Sequence, residues 1–345
     1  MERSEVADLV RSNIAELCPY STARDDYKGA LGIFLDANES PYNSGYNRYP
    51  DPHQNRLKEK IGAIKGMDRK NIFIGNGSDE AIDIVFRVFC NPGKDNVVAI
   101  APSYGMYAVA ADINDVKVRT VQLREDFSLP TEELLAACDE NTKAIFLCSP
   151  NNPSGNAFSE EELLNIVDSF KGIVVVDEAY IDFSSTASLR TRVNDKPNLI
   201  VLQTMSKAWG MAGLRLGLAF ADEYVIALMS FVKYPYNINQ AAQEIVFNLL
   251  DSDIDSKVEQ LVSERKRVEE ELKSMDCVKK VYPSDANFLL VKFDDADSMY
   301  EHLLDDGIIV RNRTRVVGCE GCLRITIGLP EENDSLLSSL KTYKG

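Results

Sequence analysis

The sequence has no long hydrophobic run, and this absence argues against a membrane-spanning helix. The longest apolar stretches, such as Gly172–Val176 and Leu199–Leu202, are far shorter than the roughly 20 residues that cross a bilayer. The N-terminus mixes both charge signs, with Val6, Val10 and Leu17 at helical spacing, and lacks the continuous apolar core of a signal peptide. We therefore expect an amphipathic first helix in a soluble, cytoplasmic protein.

The sequence is also poor in residues that bind metals. It has two histidines, His53 and His302, and seven cysteines, an odd number that suits reduced thiols better than a disulfide framework. Cys319 and Cys322 have CxxC spacing, but a zinc site would need two further ligands and there is no second CxxC. We therefore predict ordinary thiols and no metal site.

Basic residues are outnumbered, with 38 Lys and Arg against 54 Asp and Glu and a formal net charge of −16. Because nucleic-acid binding depends on basic residues that neutralise phosphates, a nucleic-acid partner is excluded and small molecules are expected instead. A site for anionic ligands would have to concentrate basic residues locally, against the overall charge. Lys207, Arg215 and Arg324 are the candidates.

From Asn71 to about Ala221, short apolar strands alternate with amphipathic helices. This pattern is typical of an α/β domain with a mostly parallel sheet, in which ligands bind at the carboxyl ends of the strands. The predicted strands are Ile72–Ile74, Val97–Ile100, Ala144–Cys148, Ile173–Val176, Leu199–Gln203 and Leu216–Phe220.

Beyond Tyr236 the pattern changes to a separate α+β unit. A long charged helix runs from about Val258 to Met275, and a helix is predicted near Ser298–Leu304. The strands predicted in this unit are Phe288–Phe293, Ile308–Val310 and Leu323–Ile327. The N-terminal helix has no obvious partner except this unit.

Two polar loops follow predicted strands. Gly75–Glu80 (GNGSDE) precedes a helix, so its small residues and the unpaired N–H groups of the helix could bind a phosphate, although Ser78 or Asp79 could equally be a simple N-cap. Ser149–Gly155 (SPNNPSG) is rich in rigid and polar residues that would fix Asn152, or it is a turn that only stabilises itself.

Asp177 and Lys207 follow two of the predicted strands. A carboxylate directly after the apolar run Val174–Val176 is unfavourable unless a cation or donor meets it, which a structural salt bridge could also provide. Lys207 lies among small and apolar residues, where loss of water would lower the pKa of its amine and favour attack on a carbonyl. A lone lysine is usually a solvated surface charge, but here other polar residues occur at neighbouring strand ends.

These motifs resemble those of the fold-type I pyridoxal-phosphate aminotransferases, in the same order and with similar spacing over nearly the whole chain. The motifs that carry the resemblance are SPNNPSG (149–155), DEAY (177–180), Ser206-Lys207 and GLRLG (213–217). Four others are similar to the branch of the family that acts on histidinol phosphate, namely LDANE (35–39), NRYP (47–50), PSYGMY (102–107) and GCLRITIG (321–328).

The resemblance implies roles around a pyridoxal 5′-phosphate cofactor. Lys207 would hold it as a Schiff base and shuttle a proton, while Asp177 would pair with its pyridine nitrogen. Asn152 and Tyr180 would bond the phenolic oxygen, and Tyr104 would stack on the ring. The cofactor phosphate would be held by four residues of this chain, Ser78, Asp79, Ser206 and Arg215, and by Tyr49 of a second subunit.

For the substrate, the resemblance implies that Arg324 receives the carboxylate of glutamate and the phosphate of histidinol phosphate. Tyr20 and Arg311 lie in segments similar to those that line the same pocket, although Arg311 could equally be a surface charge beside Arg313 and Arg315. The reaction implied is histidinol phosphate plus 2-oxoglutarate giving imidazole acetol phosphate plus glutamate, in histidine biosynthesis.

The architecture implied is a homodimer of two-domain subunits. Residues 41–234 would form a large cofactor-binding domain on a seven-stranded, mostly parallel sheet, and residues 1–40 with 235–345 would form a smaller α+β domain with an N-terminal arm. Two other enzymes remain open, a decarboxylase of amino-acid phosphates and an aromatic amino acid aminotransferase. A ligand-sensing regulator would need a DNA-binding module, and none precedes the first motifs.

Overall fold

A computed structural model describes residues 1–23 and 32–344. Its larger sheet has the strand order β1-β7-β6-β5-β4-β2-β3, in which β7 runs antiparallel to both of its neighbours and the other pairs are parallel. The strands are β1 Ile72–Asn76, β2 Asn96–Ala101, β3 Lys117–Gln122, β4 Thr142–Cys148, β5 Ile173–Asp177, β6 Leu199–Thr204 and β7 Leu216–Phe220. The seven-stranded, mostly parallel sheet predicted for an α/β fold is confirmed.

The central strands are buried along their whole length and mostly apolar because helices cover both faces of the sheet. Every residue of β5, β6 and β7 is buried. One apolar core fills one side of the sheet and contains Ile74, Val176 and Leu218, and a second core on the other side contains Phe73, Val175 and Ala219. The rigid sheet therefore fixes the positions of the loops at its edges.

Twelve helices accompany the two sheets in the described ranges. They are α1 Arg3–Ala7, α2 Ser12–Ala15, α3 Asn55–Lys65, α4 Ser78–Phe89, α5 Met106–Ile113, α6 Thr131–Ala136, α7 Glu160–Ser169, α8 Glu223–Val232, α9 Gln240–Leu249, α10 Asp255–Lys273, α11 Ala296–Asp305 and α12 Pro330–Thr342. None of these helices is long and apolar enough to cross a membrane.

The C-terminal unit contains a four-stranded antiparallel sheet with the order β10-β11-β9-β8. Its strands are β8 Val278–Val281, β9 Phe288–Phe293, β10 Arg311–Asn312 and β11 Cys322–Thr326. The long charged helix, the helix at α11 and the strands at β9 and β11 are confirmed. The strand predicted at Ile308–Val310 was wrong, since pairing with β11 begins only at Arg311, and the lysine-rich β8 was missed.

The N-terminal segment differs from its prediction in two ways. It forms two short helices instead of one. The first helix ends at Ala7, and the backbone N–H of Arg11 donates to the carbonyl of Val88 instead of to a carbonyl of that helix. Val6 and Val10 pack into the core that covers α4 and α8, and Arg3 pairs with Asp222 at 2.7 Å. The helices therefore lie on the larger unit, and the expectation that they partner with the C-terminal unit was wrong.

Candidate active site

A pocket of about 490 Å³ opens where the carboxyl ends of β4, β5 and β6 meet the N-terminus of α4. Nine of the residues predicted for the cofactor line it, and they come from five separate segments of the chain. They are Ser78, Asp79, Tyr104, Asn152, Asp177, Tyr180, Ser206, Lys207 and Arg215. This placement is consistent with the prediction that these residues lie close together.

The amino end of α4 forms an anion cup. The first N–H groups of a helix have no hydrogen-bond partner within the helix, and they lie at the positive end of its dipole. Gly217 of β7 allows the closest approach here, because a Cβ at that position would overlap the backbone N of Ser78. Arg215 adopts a left-handed φ of 52° and brings its Nη2 to 3.3 Å from Asp79 Oδ2. Backbone donors and a guanidinium thus surround one small volume.

The hydroxyl of Ser206 adds a further donor to the cup. Thr204 at the end of β6 donates its hydroxyl to Ser206 Oγ at 3.0 Å and accepts the backbone N–H of Ser206 at 3.1 Å. This pair of hydrogen bonds fixes the turn that carries Ser206 and Lys207 from the strand into the pocket.

Lys207 lines the pocket, and the pKa of its amine is lowered. Burial is the main cause, the positive charges of Arg324 and Arg215 add to it, and the carboxylates of Asp177 and Asp79 oppose it. Its Nζ lies 5.6 Å from the centre of the Tyr180 ring. An amine held this way loses its proton more easily than a surface lysine and is suited to attack a carbonyl carbon.

Asp177 ends β5 and is 2% exposed. Burial raises the pKa of its carboxyl to about 6, against two hydrogen bonds that favour the ionised form. Tyr107 donates its hydroxyl to Oδ2 at 2.8 Å, and the backbone N–H of Ala179 donates to Oδ1 at 3.1 Å. Tyr107 was not among the predicted site residues, although the PSYGMY motif contains it.

Arg324, on β11 of the smaller sheet, contacts a residue that lines the pocket. Its Nη1 donates to Asn152 Oδ1 at 2.6 Å, and its guanidinium carbon lies 5.2 Å from the centre of the Phe288 ring. The Tyr180 ring packs edge-on against the same phenylalanine at 5.2 Å. The two units of the chain therefore both contribute to one site, and a cation from the smaller unit faces the lysine of the larger one.

Besides Arg324, three predicted residues do not line the pocket. Tyr49 is 50% exposed and stacks on Tyr236 with ring centres 4.4 Å apart, and Tyr20 is 76% exposed. Arg311 is exposed on β10, directly opposite Arg324 in the antiparallel pairing. Their predicted roles stay predictions.

The donor set fits pyridoxal 5′-phosphate. The cup at α4 suits a phosphate, the buried carboxylate of Asp177 suits a protonated pyridine nitrogen, and the amine of Lys207 suits an aldehyde. Tyr104 also lines the pocket, and its hydroxyl donates to Asp79 Oδ1 at 2.9 Å. A bound phosphate would also explain the glycine at position 217. A side chain there would displace the backbone N–H of Ser78, which is one of the donors of the cup.

Comparison with known proteins identifies the class. The family model of aminotransferase class I and II matches residues 34–340, so the chain belongs to this family and is an aminotransferase, an enzyme that acts on small molecules. Within the class it belongs with the histidinol-phosphate aminotransferases. A relative of that name from Parabacteroides distasonis is 54% identical and is covered over 99% of both chains.

Solved structures agree with this assignment. The histidinol-phosphate aminotransferase of Clostridium acetobutylicum is 25% identical, with a TM-score of 0.79 over 86% of this chain and 90% of that one. The enzyme of the same name from Sinorhizobium meliloti, solved in complex with pyridoxal-5′-phosphate, is 25% identical, with a TM-score of 0.77 over 85% and 82% of the two chains. The predicted fold and family are confirmed.

Proposed function

We propose that this protein transfers the amino group of histidinol phosphate to 2-oxoglutarate, giving imidazole acetol phosphate and glutamate, as a step of histidine biosynthesis in the cytoplasm. The observation that carries the proposal is the 54% identity over the full chain to a relative named for this activity. The site supports it, because the positive charge of Arg324 helps to lower the pKa of the Lys207 amine, and Arg324 donates to Asn152 of the pocket lining.

Pyridoxal 5′-phosphate, when bound, supplies a carbonyl that takes up the amino group and a cationic ring that withdraws electrons from the substrate carbon. Lys207 would hold it covalently. Its phosphate would be held by the backbone N–H groups at the start of α4 and by Ser206 and Arg215. Asn152 and Tyr180 would bond its phenolic oxygen, and Tyr104 would cover one face of its ring.

Lys207 would then act as the general base and acid. Its neutral amine would take the proton from the substrate carbon and deliver it to the carbon that receives the nitrogen. The lowered pKa of this amine favours the neutral form that the first of these transfers needs.

Asp177 would hold the proton on the pyridine nitrogen. A carboxylate does so only when it is ionised, and the hydrogen bonds from Tyr107 and Ala179 favour that form against burial. The positive charge of the ring would favour it further.

Arg324 would bind the anion of each substrate, the carboxylate of glutamate or the phosphate of histidinol phosphate. A planar guanidinium can bind either group with two parallel hydrogen bonds. Arg311, on the neighbouring strand, and Tyr20 would complete the pocket around the distal part of the substrate.

The active form would be a homodimer in which Tyr49 enters the pocket of the other subunit. Tyr49 lies outside the pocket of its own chain, and Tyr42 and Tyr46 beside it are 85% and 62% exposed. Exposed aromatic residues in one segment are typical of a protein interface.

The test is a coupled assay of glutamate formation from histidinol phosphate and 2-oxoglutarate. Phenylalanine, aspartate and threonine phosphate serve as competing substrates, and carbon dioxide release from threonine phosphate is followed in parallel. We expect histidinol phosphate to have the highest kcat/KM and Lys207→Ala to abolish turnover, while Lys70→Ala, a surface lysine paired with Glu223 at 3.0 Å, keeps it. A higher kcat/KM for phenylalanine, or release of carbon dioxide, would overturn the proposal.

A further inference from the structure

Three arginines lie on β10 and β11 of the smaller sheet or directly after β10. Arg311 and Arg324 are directly opposite each other in the β10–β11 pairing, and the backbone N–H of Arg313 donates to the carbonyl of Cys322 at 2.9 Å. Residues paired across antiparallel strands share a face, and so do residues two apart on one strand. The side chain of Arg313 therefore projects on the same side as Arg324, which reaches Asn152 in the pocket.

These three guanidinium groups have no acidic partners. In the part of the chain that the structure describes, no carboxylate lies within ion-pair distance of Arg311, Arg313 or Arg324, whereas Arg267 contacts both Glu264 and Asp334. The Nε atoms of Arg313 and Arg324 are buried and have no hydrogen-bond partner among the described residues. In a chain with a net charge of −16, such a cluster of uncompensated cations is suited to bind an anion.

The charge of Arg313 acts on the pocket itself. Burial chiefly raises the pKa of the Tyr180 hydroxyl, and the guanidinium groups of Arg324 and Arg313 both oppose that rise. Conversely, burial lowers the pKa of Arg313, with Arg324 and Arg311 as the next causes. Arg313 is therefore within electrostatic reach both of the pocket lining and of the arginine that receives the substrate.

We propose that Arg313 is a second anion-binding residue, which adds to Arg324 and selects a phosphate monoester over a carboxylate. This inference rests on the proposed function and names a residue that sets its substrate preference. One guanidinium satisfies a carboxylate with two hydrogen bonds. A phosphate monoester has three terminal oxygens and a charge of about −1.5 to −2 at pH 7, so it gains from a second guanidinium that a carboxylate does not need.

The test measures the two half-reactions separately, with glutamate and with histidinol phosphate, from the spectral change of the cofactor-loaded enzyme. Arg313→Gln removes the charge, Arg313→Lys keeps it as a point charge, and Arg315→Gln is the matched control, since Arg315 is exposed in the following turn. Inhibition of the glutamate half-reaction by inorganic phosphate is measured on each variant. Thermal unfolding checks that the variants are folded.

We expect Arg313→Gln to lower kcat/KM for histidinol phosphate about tenfold more than kcat/KM for glutamate. The change should appear in KM, because the phosphate would lose one of the two guanidinium groups that bind it. Inorganic phosphate should inhibit this variant more weakly than the parent, Arg313→Lys should recover part of both effects, and Arg315→Gln should show neither. Equal losses for the two substrates, or unchanged inhibition by phosphate, would overturn the inference. If the parent itself did not accept histidinol phosphate, the proposed function would fail instead, and the inhibition by phosphate would still report on Arg313.

Discussion

Tyr107 donates its hydroxyl to Asp177 Oδ2 at 2.8 Å, and both residues are 2% exposed. The pair connects α5 with the end of β5 beneath the pocket. Because burial raises the pKa of the Asp177 carboxyl, this hydrogen bond is one of two contacts that favour its ionised form. Tyr107 is therefore a positioning residue that acts on the reaction through Asp177.

Tyr107→Phe should raise the pKa of Asp177 further and shift the acidic limb of the kcat profile to higher pH. The loss should be about tenfold near pH 6.5 and smaller at pH 8.5, on the scale of one hydrogen bond to a charged group. The measurement is kcat against pH, with Tyr224→Phe in α8 as a control for loss of a tyrosine hydroxyl. A uniform loss at all pH values would mean that Tyr107 affects only packing.

Asp177→Asn should change the pH dependence of stability in the cofactor-free protein. The pKa of Asp177 is about 6 in the folded chain against an ordinary value of 3.8, so the folded state binds more protons between these values and the parent loses stability as pH rises through this window. The asparagine variant lacks this loss. Relative to the parent it should gain about 2 kcal/mol between pH 4 and pH 7, from the scale of 1.36 kcal/mol per unit. Urea unfolding at both pH values measures it, and a constant difference would contradict the raised pKa.

Gly217→Ala should weaken cofactor binding, because the added Cβ would overlap the backbone N of Ser78 and push the anion cup away from β7. We expect a loss of cofactor affinity of at least about tenfold and a loss of stability of about 1–3 kcal/mol, as for overpacking. Gly213→Ala is the matched control, since a Cβ there would have no neighbour within 4 Å. Fluorescence titration with pyridoxal 5′-phosphate gives the affinity, and equal affinity in the two variants would contradict the role of this close approach.

The centre of the site could be predicted because its residues stand in unusual positions along the chain. Asp177 and Lys207 are polar groups directly after buried strands, and such positions demand a partner. Tyr107 could not be predicted from the residues, because a tyrosine in an apolar helix is usually a core residue. Arg313, beside two other arginines, has the pattern of a solvated surface charge. Only its backbone hydrogen bond to Cys322, directly after β10, places it near Arg324.

The fold could be predicted where burial is complete and less well elsewhere. The apolar strands β4 to β7 stand out in the sequence, whereas β3 (KVRTVQ) is an edge strand with polar, exposed residues. The packing of Val6 and Val10 against the larger unit depends on a long-range contact, which helical periodicity does not specify.

The predicted dimer can be tested by subunit complementation. Tyr49→Ala and Lys207→Ala should each be nearly inactive, and mixing them should restore activity, because each mixed dimer has one pocket with both residues intact. At full exchange of equal amounts, half of the dimers are mixed, so about a quarter of the parent activity per site is expected if one pocket works alone. Light scattering gives the oligomeric state, and a fully active monomer would contradict the prediction.

Arg324 donates its Nη1–H to Asn152 Oδ1 at 2.6 Å. If it receives both the carboxylate of glutamate and the phosphate of histidinol phosphate, Arg324→Lys should impair both half-reactions, because an ammonium cannot replace a planar fork. Arg324→Ala should lower kcat/KM for each substrate. The corresponding loss of transition-state stabilisation should be about 2–5 kcal/mol, as when one partner of a desolvated charge pair is removed.

Cofactor binding should survive in Arg324→Ala, because the cup formed by Ser78, Ser206 and Arg215 does not depend on it. The two half-reactions are measured from the spectral change between the two cofactor forms, and cofactor affinity is measured by titration. A loss for glutamate with histidinol phosphate unaffected would move phosphate recognition to Arg311 and Arg313. Arg311 lies opposite Arg324 in the β10–β11 pairing. In that outcome the phosphate would bind to β10 and the residue after it, and the carboxylate would bind to β11.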